Sequence, residues 1–272
     1  MADAFAEPIE RAHQDLQNQF HDKVDVPPSR RFVGLDAFEK TIAAGPDIIL
    51  LCTPPGFRPA QFAAAVKAGK HLFLEKPAAV DAPGYRAVKS ANEEAKKTGL
   101  YVAVGHHLRH AKSHAEAVRQ IHDGLIGDLL FTRAHFHTQG IWNRPRQPGM
   151  TEMQYQVKNW YHFVWLSGDH IVEQHVHGID ACNWIARGAP VQATGVGGRQ
   201  VRAEPGIGEI FDHHCVPSAH SRSLDTDKTA EEGKAPPSHE RWLGGSLILL
   251  GIAGVHDPLS SSRVPIGRRA TG

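Results

Sequence analysis

The chain has 272 residues, with 30 Lys plus Arg set against 29 Asp plus Glu. That length allows one large domain or two ordinary ones around a sizeable core. The near-cancelled charge gives no global field for nucleic acid or a membrane surface, and no apolar run is long enough to span a bilayer. The three cysteines, Cys52, Cys182 and Cys215, are odd in number and far apart. They fit neither a disulfide framework nor paired zinc-ligand spacing, so a reducing, cytoplasmic setting is the default expectation.

Residues 7–20 read as a helix and 31–33 as a short strand. A second helix is expected over 36–44, with Asp36 as its cap and Glu39 three residues on. Residues 47–52 are a continuous apolar run, as in a strand buried on both faces. Thr53-Pro54-Pro55-Gly56 breaks it, and a helix follows with Pro59 in its first turn and Gly69 at its end. Residues 71–74 form the next strand, ended by Glu75-Lys76-Pro77. A helix over 84–97 stops at Gly99, and 101–104 is a further strand. This alternation predicts parallel strands joined by right-handed crossovers.

Downstream, 111–123 reads as a helix and 128–137 as a half-buried strand. A helix is expected over 167–187, punctuated by Gly188 and Pro190. Segments 191–196 and 208–216 read as strands of a mostly antiparallel sheet. From Pro217 to Pro237 large apolar residues are almost absent, so that stretch cannot bury enough surface to order itself. The expected organisation is an α/β domain over 1–125, a smaller α/β domain over 126–216, and an irregular, disordered tail without functional role over 217–272.

Two motifs carry the chemistry. Lys76 follows the carboxyl end of a parallel strand, where open α/β sheets place ligands. An ammonium there can stabilise negative charge developing on a substrate oxygen. Far downstream stands Gly168-Asp-His-Ile-Val-Glu173-Gln-His-Val-His177-Gly-Ile-Asp180. On one continuous helix, Glu173, His177, Asp180 and Trp184 would share a face.

These two motifs, in this order, resemble the glucose-fructose oxidoreductase / inositol dehydrogenase / MocA-like family over roughly residues 1–216. The resemblance implies an incomplete Rossmann-type doubly wound sheet followed by an α/β domain with a mostly antiparallel sheet. It also implies hydride exchange between a nicotinamide and a secondary alcohol of a sugar or polyol. Lys76 would polarise the oxygen after a cis Lys76–Pro77 bond, His177 would move the proton, and Glu173 would orient His177. Asp3, at the end of a strand, would meet the adenosine ribose and favour NAD, with NADP the alternative. Thr53, Pro54, Pro55, Glu75, Lys76 and His107 would line the cofactor. Trp160 and Tyr161, with Trp165 nearby, would wall a sugar ring, with Lys76 and Asp180 also toward the substrate. Oligomers would form through the C-terminal sheet.

In two respects the chain departs from the family pattern. The family's opening strand and Gly-x-Gly-x-x-Gly turn do not precede Asp3, and the stretch after 216 does not match. The alternative reading is therefore a truncated, inactive relative that cannot hold the dinucleotide. A third is a metal-dependent hydrolase using His162, His170, His175, His177, His213 and His214. His-x-His shares a face only in a strand, and the punctuation around 175–177 is helical, so no metal site is expected.

Overall fold

The computed structural model describes residues 1–220 apart from Gln139 and Ala203, together with the backbone of a strand at Ser246–Ile252. Strand β1 (Ala2–Asp3) leads into helix α1 (Ala6–Phe20) and strand β2 (Phe32–Val33). β1 and β2 pair in parallel. Helix α2 (Ala37–Ala43) follows. The capping box expected there does not form: Asp36 makes no cap bond and pairs instead with Lys40 at 2.8 Å.

Strand β3 (Ile48–Leu51), helix α3 (Arg58–Lys67), strand β4 (His71–Leu74), helix α4 (Ala82–Lys97) and strand β5 (Val102–Val104) build a three-stranded parallel sheet in the order β3-β4-β5. Ile49, Leu51, Leu72 and Leu74 point to one face, where they pack on Phe62, Ala65 and Val66 of α3 and Ala95 of α4. The alternation is the two-residue period of a strand meeting the apolar stripe of a helix. Gly69, at φ +71°, closes α3, with Lys70 N–H donating back to Ala65 O. That is the left-handed turn glycine adopts without a Cβ penalty.

Helices α5 (His107–His110) and α6 (Lys112–His122) lead to strand β6 (Arg133–Thr138). Helix α7 (Glu152–Lys158) starts with a full capping box between Thr151 and Gln154. The short helices α8 (Val164–Ser167) and α9 (Asp169–Glu173) precede α10 (Val176–Ile185). The single helix expected over 167–187 is thus divided. His175 N–H reaches back five residues to His170 O at 3.3 Å, which widens one turn as the His175 ring becomes fully buried.

Strands β7 (Gln192–Ala193), β8 (Val196–Gly198), β9 (His213–Ala219) and β10 (Ser246–Ile252) join β6 in a second sheet. β9 pairs antiparallel with β7, β8 and β10, while β10 runs parallel to β6. The expectation of an irregular stretch beyond 216 fails where the chain is described. β9 continues to Ala219, and Ser246–Ile252 fills the slot between β9 and β6. The rest of that expectation lies outside the described residues. Among the described residues no helix is long and apolar enough to cross a membrane.

Candidate active site

β4 delivers the first group. Glu75 N–H donates to Leu51 O at 3.0 Å, so the chain leaves the sheet at its carboxyl end. The next bond, Lys76–Pro77, is cis, as the resemblance implies. Beneath this turn lies Arg58, 4% exposed, which donates to Pro77 O at 2.6 Å. Burial lowers its pKa to about 10, against the raising influence of Glu75, Cys52 and Glu173. The sequence reading missed Arg58; its only signal was a cation in the first turn of a helix after Pro-Pro-Gly. The Glu75 carboxylate turns toward Gly105, where an added Cβ would meet it at 2.9 Å.

Lys76 meets the second half of the molecule directly. Its Nζ donates to Glu173 Oε1 at 2.7 Å and to Glu173 O at 2.6 Å. The carbonyl belongs to the last residue of α9, an end that leaves oxygens free and favours a cation. The two side chains are only 14% and 9% exposed, so the pair is largely withdrawn from water. Glu173 therefore holds Lys76 and makes no hydrogen bond to His177. The helix break between them removes the shared face on which the orienting role was expected.

His177, in the first turn of α10, packs edge-to-face on the exposed His107, ring centres 4.5 Å apart. Burial, then Lys76 and the two neighbouring imidazoles, lower its pKa to about 4, so it is neutral at pH 7. Its Nδ1 is buried without a hydrogen-bond partner, as are His106 Nδ1 and Glu173 Oε2. Asp180 is already engaged by Arg109, at 2.8 and 3.0 Å. It lies 3.9 Å from His106, yet the His106 pKa falls because burial outweighs a carboxylate that Arg109 has neutralised.

A cleft of about 340 Å³ opens at the carboxyl ends of β1, β2 and β3. Asp3, Thr53, Pro54 and Trp160 line it. Asp3 Oδ1 accepts Phe5 N–H at 2.9 Å, and Thr53 donates to Gln61 at 2.5 Å. Pro55 is buried in the turn that starts α3 and does not line the cleft. Tyr161 offers no ring face to a sugar: it is 8% exposed and packs edge-on against His170, 6.1 Å away. Its hydroxyl pKa is raised by burial first and by Glu173 second. Trp165 is bonded through its indole N–H to Gln156 at 2.7 Å.

The remaining histidines fall into a separate cluster. His170 and His175 are fully buried, 4.2 Å apart between ring centres, with His214 beyond them. All four ring nitrogens of His170 and His175 lack hydrogen-bond partners. His175 and His177 serve different clusters, and His213 instead bonds Asp212 at 2.7 Å. Among the described residues no group of three or more His, Cys, Asp or Glu side chains is arranged to hold a metal ion.

Residues 4–106 match the model of an oxidoreductase family with an NAD-binding Rossmann fold, the family of glucose-fructose oxidoreductase, inositol dehydrogenase and MocA. Over residues 4–106 the chain is similar to this family, and the same stretch holds Lys76. It is 25% identical over 166 residues to the 2,7-anhydro-N-acetylneuraminate hydratase of Escherichia coli, covering 61% of this chain and 40% of the relative. It is 26% identical over 230 residues to the 1,5-anhydro-D-fructose reductase of Ensifer adhaerens, covering 81% and 64%. The fold matches the crystal structure of myo-inositol 2-dehydrogenase from Lactobacillus plantarum with a TM-score of 0.64 at 17% identity, covering 94% of this chain and 62% of that one. The chain thus spans less than two thirds of the length of each of these relatives. In family terms the match ends two residues after the carboxyl end of β5, so Lys76 lies inside it and His177 far beyond it.

Proposed function

We propose that the chain is a nicotinamide-dependent oxidoreductase acting on a secondary alcohol, or the matching ketone, of a sugar, polyol or derivative. The observation that carries this reading is the meeting of Lys76 with Glu173 beside a neutral His177. The Lys76 ammonium donates to the substrate oxygen and stabilises the charge that develops on it. His177 accepts the hydroxyl proton, a task that requires its neutral form. Glu173 keeps the ammonium in place through its paired oxygen. Its second oxygen, like Nδ1 of His177 and of His106, is an unanswered polar atom. Hydroxyl groups donate and accept, so a polyol can satisfy both kinds.

NAD is the cofactor this reading favours, with NADP the alternative. What supports this is the cleft at the strand ends and Asp3, a carboxylate in its lining that could accept from ribose hydroxyls. The bound nicotinamide would accept or return the hydride. Similar proteins named as a reductase, a hydratase and a polyol dehydrogenase act on different compounds. The substrate is accordingly proposed only as a class.

The test is NADH formation from NAD by the purified chain against inositols, aldoses and anhydro sugars. Lys76→Met is expected to lower kcat/KM ~10³-fold. Because it strands a buried carboxylate, Lys76→Met/Glu173→Gln is measured beside it. Full activity in either variant would sink the reading.

A further inference from the structure

The cleft has an unusual charge arrangement for its size. Three cations line it, Arg11, Arg144 and Lys158, against the single carboxylate of Asp3. Arg11 comes from α1 of the first domain, whereas Arg144 and Lys158 come from the loop before α7 and from its last residue. Arg11 and Lys158 take part in none of the molecule's ion pairs among the described residues. Lys158 Nζ sits 4.9 Å above the Phe5 ring, so it reaches across to the chain leaving β1. Arg144 is held in place by donating to Lys158 O at 3.0 Å and by lying over Trp142.

Asp3 spends one oxygen on the Phe5 N–H and neutralises none of these cations. The cleft therefore keeps an excess of positive charge next to aromatic walls at Phe5, Phe57 and Trp160. Guanidinium groups match phosphate oxygens in pairs, and an ammonium adds a point charge. A carboxylate for a ribose, flat apolar walls for rings and unpaired cations describe a nucleotide carrying phosphate.

We infer that Arg11, Arg144 and Lys158 hold the phosphate groups of the bound dinucleotide, so that nucleotide binding draws on both domains. The inference rests on the cofactor reading above and adds which residues of this chain bind the phosphates. It can fail on its own.

The experiment is titration of the full chain with NADH, NADPH and adenosine, followed by calorimetry, at low and high salt. Lys158→Ala and Arg144→Ala are each expected to raise the NADH Kd about tenfold, the equivalent of ~1.4 kcal/mol. Adenosine, which has no phosphate, should bind the variants as it binds the parent chain. Lys158→Arg should keep NADH binding, and added salt should weaken NADH but not adenosine. Arg11→Ala should weaken both cofactors if it meets the pyrophosphate, or NADPH alone if it meets the 2′-phosphate; an effect on neither overturns its part. NADH binding that ignores these substitutions and salt overturns the inference while leaving the cofactor reading standing. Cation-dependent NADH binding without turnover of any polyol supports the inference and sinks the proposed reaction. No nucleotide binding at all overturns both.

Discussion

The layer formed by β3, β4 and β5 with α3 and α4 and the region from Asn159 to His214 are both buried, but with opposite materials. The first is filled by Ile49, Leu51, Phe62, Leu72 and Leu74. The second buries Asn159, His162, His170, Glu173, His175, Arg202 and Asp212. An apolar layer is stabilised at any pH and holds the Lys76 turn on a fixed frame. A polar interior is stable only in one protonation state, and it is this interior that supplies Glu173 and His177. Asp212 illustrates the cost and its remedy. Burial acts to raise its pKa, yet three backbone N–H groups and His213 overcome that and bring it to about 2.

The comparison breaks first at Phe62. It is fully buried, and Phe62→Ala should lower stability by ~3–5 kcal/mol in chemical denaturation. The loss should be the same at pH 8 and pH 5, because the side chains clustered with Phe62 are all apolar. If it varies strongly with pH, the two regions are not independent.

The polar region should show the reverse dependence. Burial lowers the pKa of His162 and His170 to about 4 and of His175 to about 2, with neighbouring imidazoles adding to the effect on the last two. Each is neutral in the folded chain and titrates near 6.5 when unfolded. The stability they contribute is complete above pH 6.5 and is lost as pH falls toward 4. Unfolding followed from pH 8 to pH 4 should therefore become easier across that window. His175→Phe, which removes two unpartnered nitrogens, should recover roughly 2 kcal/mol at pH 5 relative to pH 8. An unchanged pH profile would remove His175 from the account.

The smallest expected effect sharpens the contact between the regions. Glu173→Gln keeps an oxygen for Lys76 Nζ but removes its charge, and a charge-assisted bond is about twice as strong as a neutral one. A ~10-fold fall in kcat/KM is expected. An effect as large as that of Lys76→Met would mean that Glu173 takes a direct part in the proposed reaction.

The two regions also differed in how far they could be read from sequence. Continuous apolar runs at 48–51 and 72–74, with Gly69 and Gly99 closing the helices, specify parallel strands locally. Lys76 was legible because it sits in Glu75-Lys76-Pro77 at the end of such a strand, a motif that resembles the family's; a lysine there without that motif is usually a solvated surface residue. Residues 167–187 carry helix punctuation, and the sequence reading followed it. The split at His175 arises from packing that ring between Phe136 and His170, a tertiary demand with no local signal. The Glu173 partner was misread for that reason. Arg58, His106 and the cations of the cleft were missed because their neighbours are distant in sequence. The strand at Ser246–Ile252 was hidden by the glycines around it, which suit an edge or loop as well as a strand.

The bond between Lys76 and Glu173 joins positions 97 residues apart. Closing so long a loop is costly in chain entropy, and local contacts near Lys76 cannot lower that cost alone. During synthesis the strand–turn unit around Lys76 can form well before its counter-ion has been made. For the time a ribosome needs to add the intervening residues, the ammonium must stay in water. A nascent chain cut short of Glu173 would carry the lysine without the site.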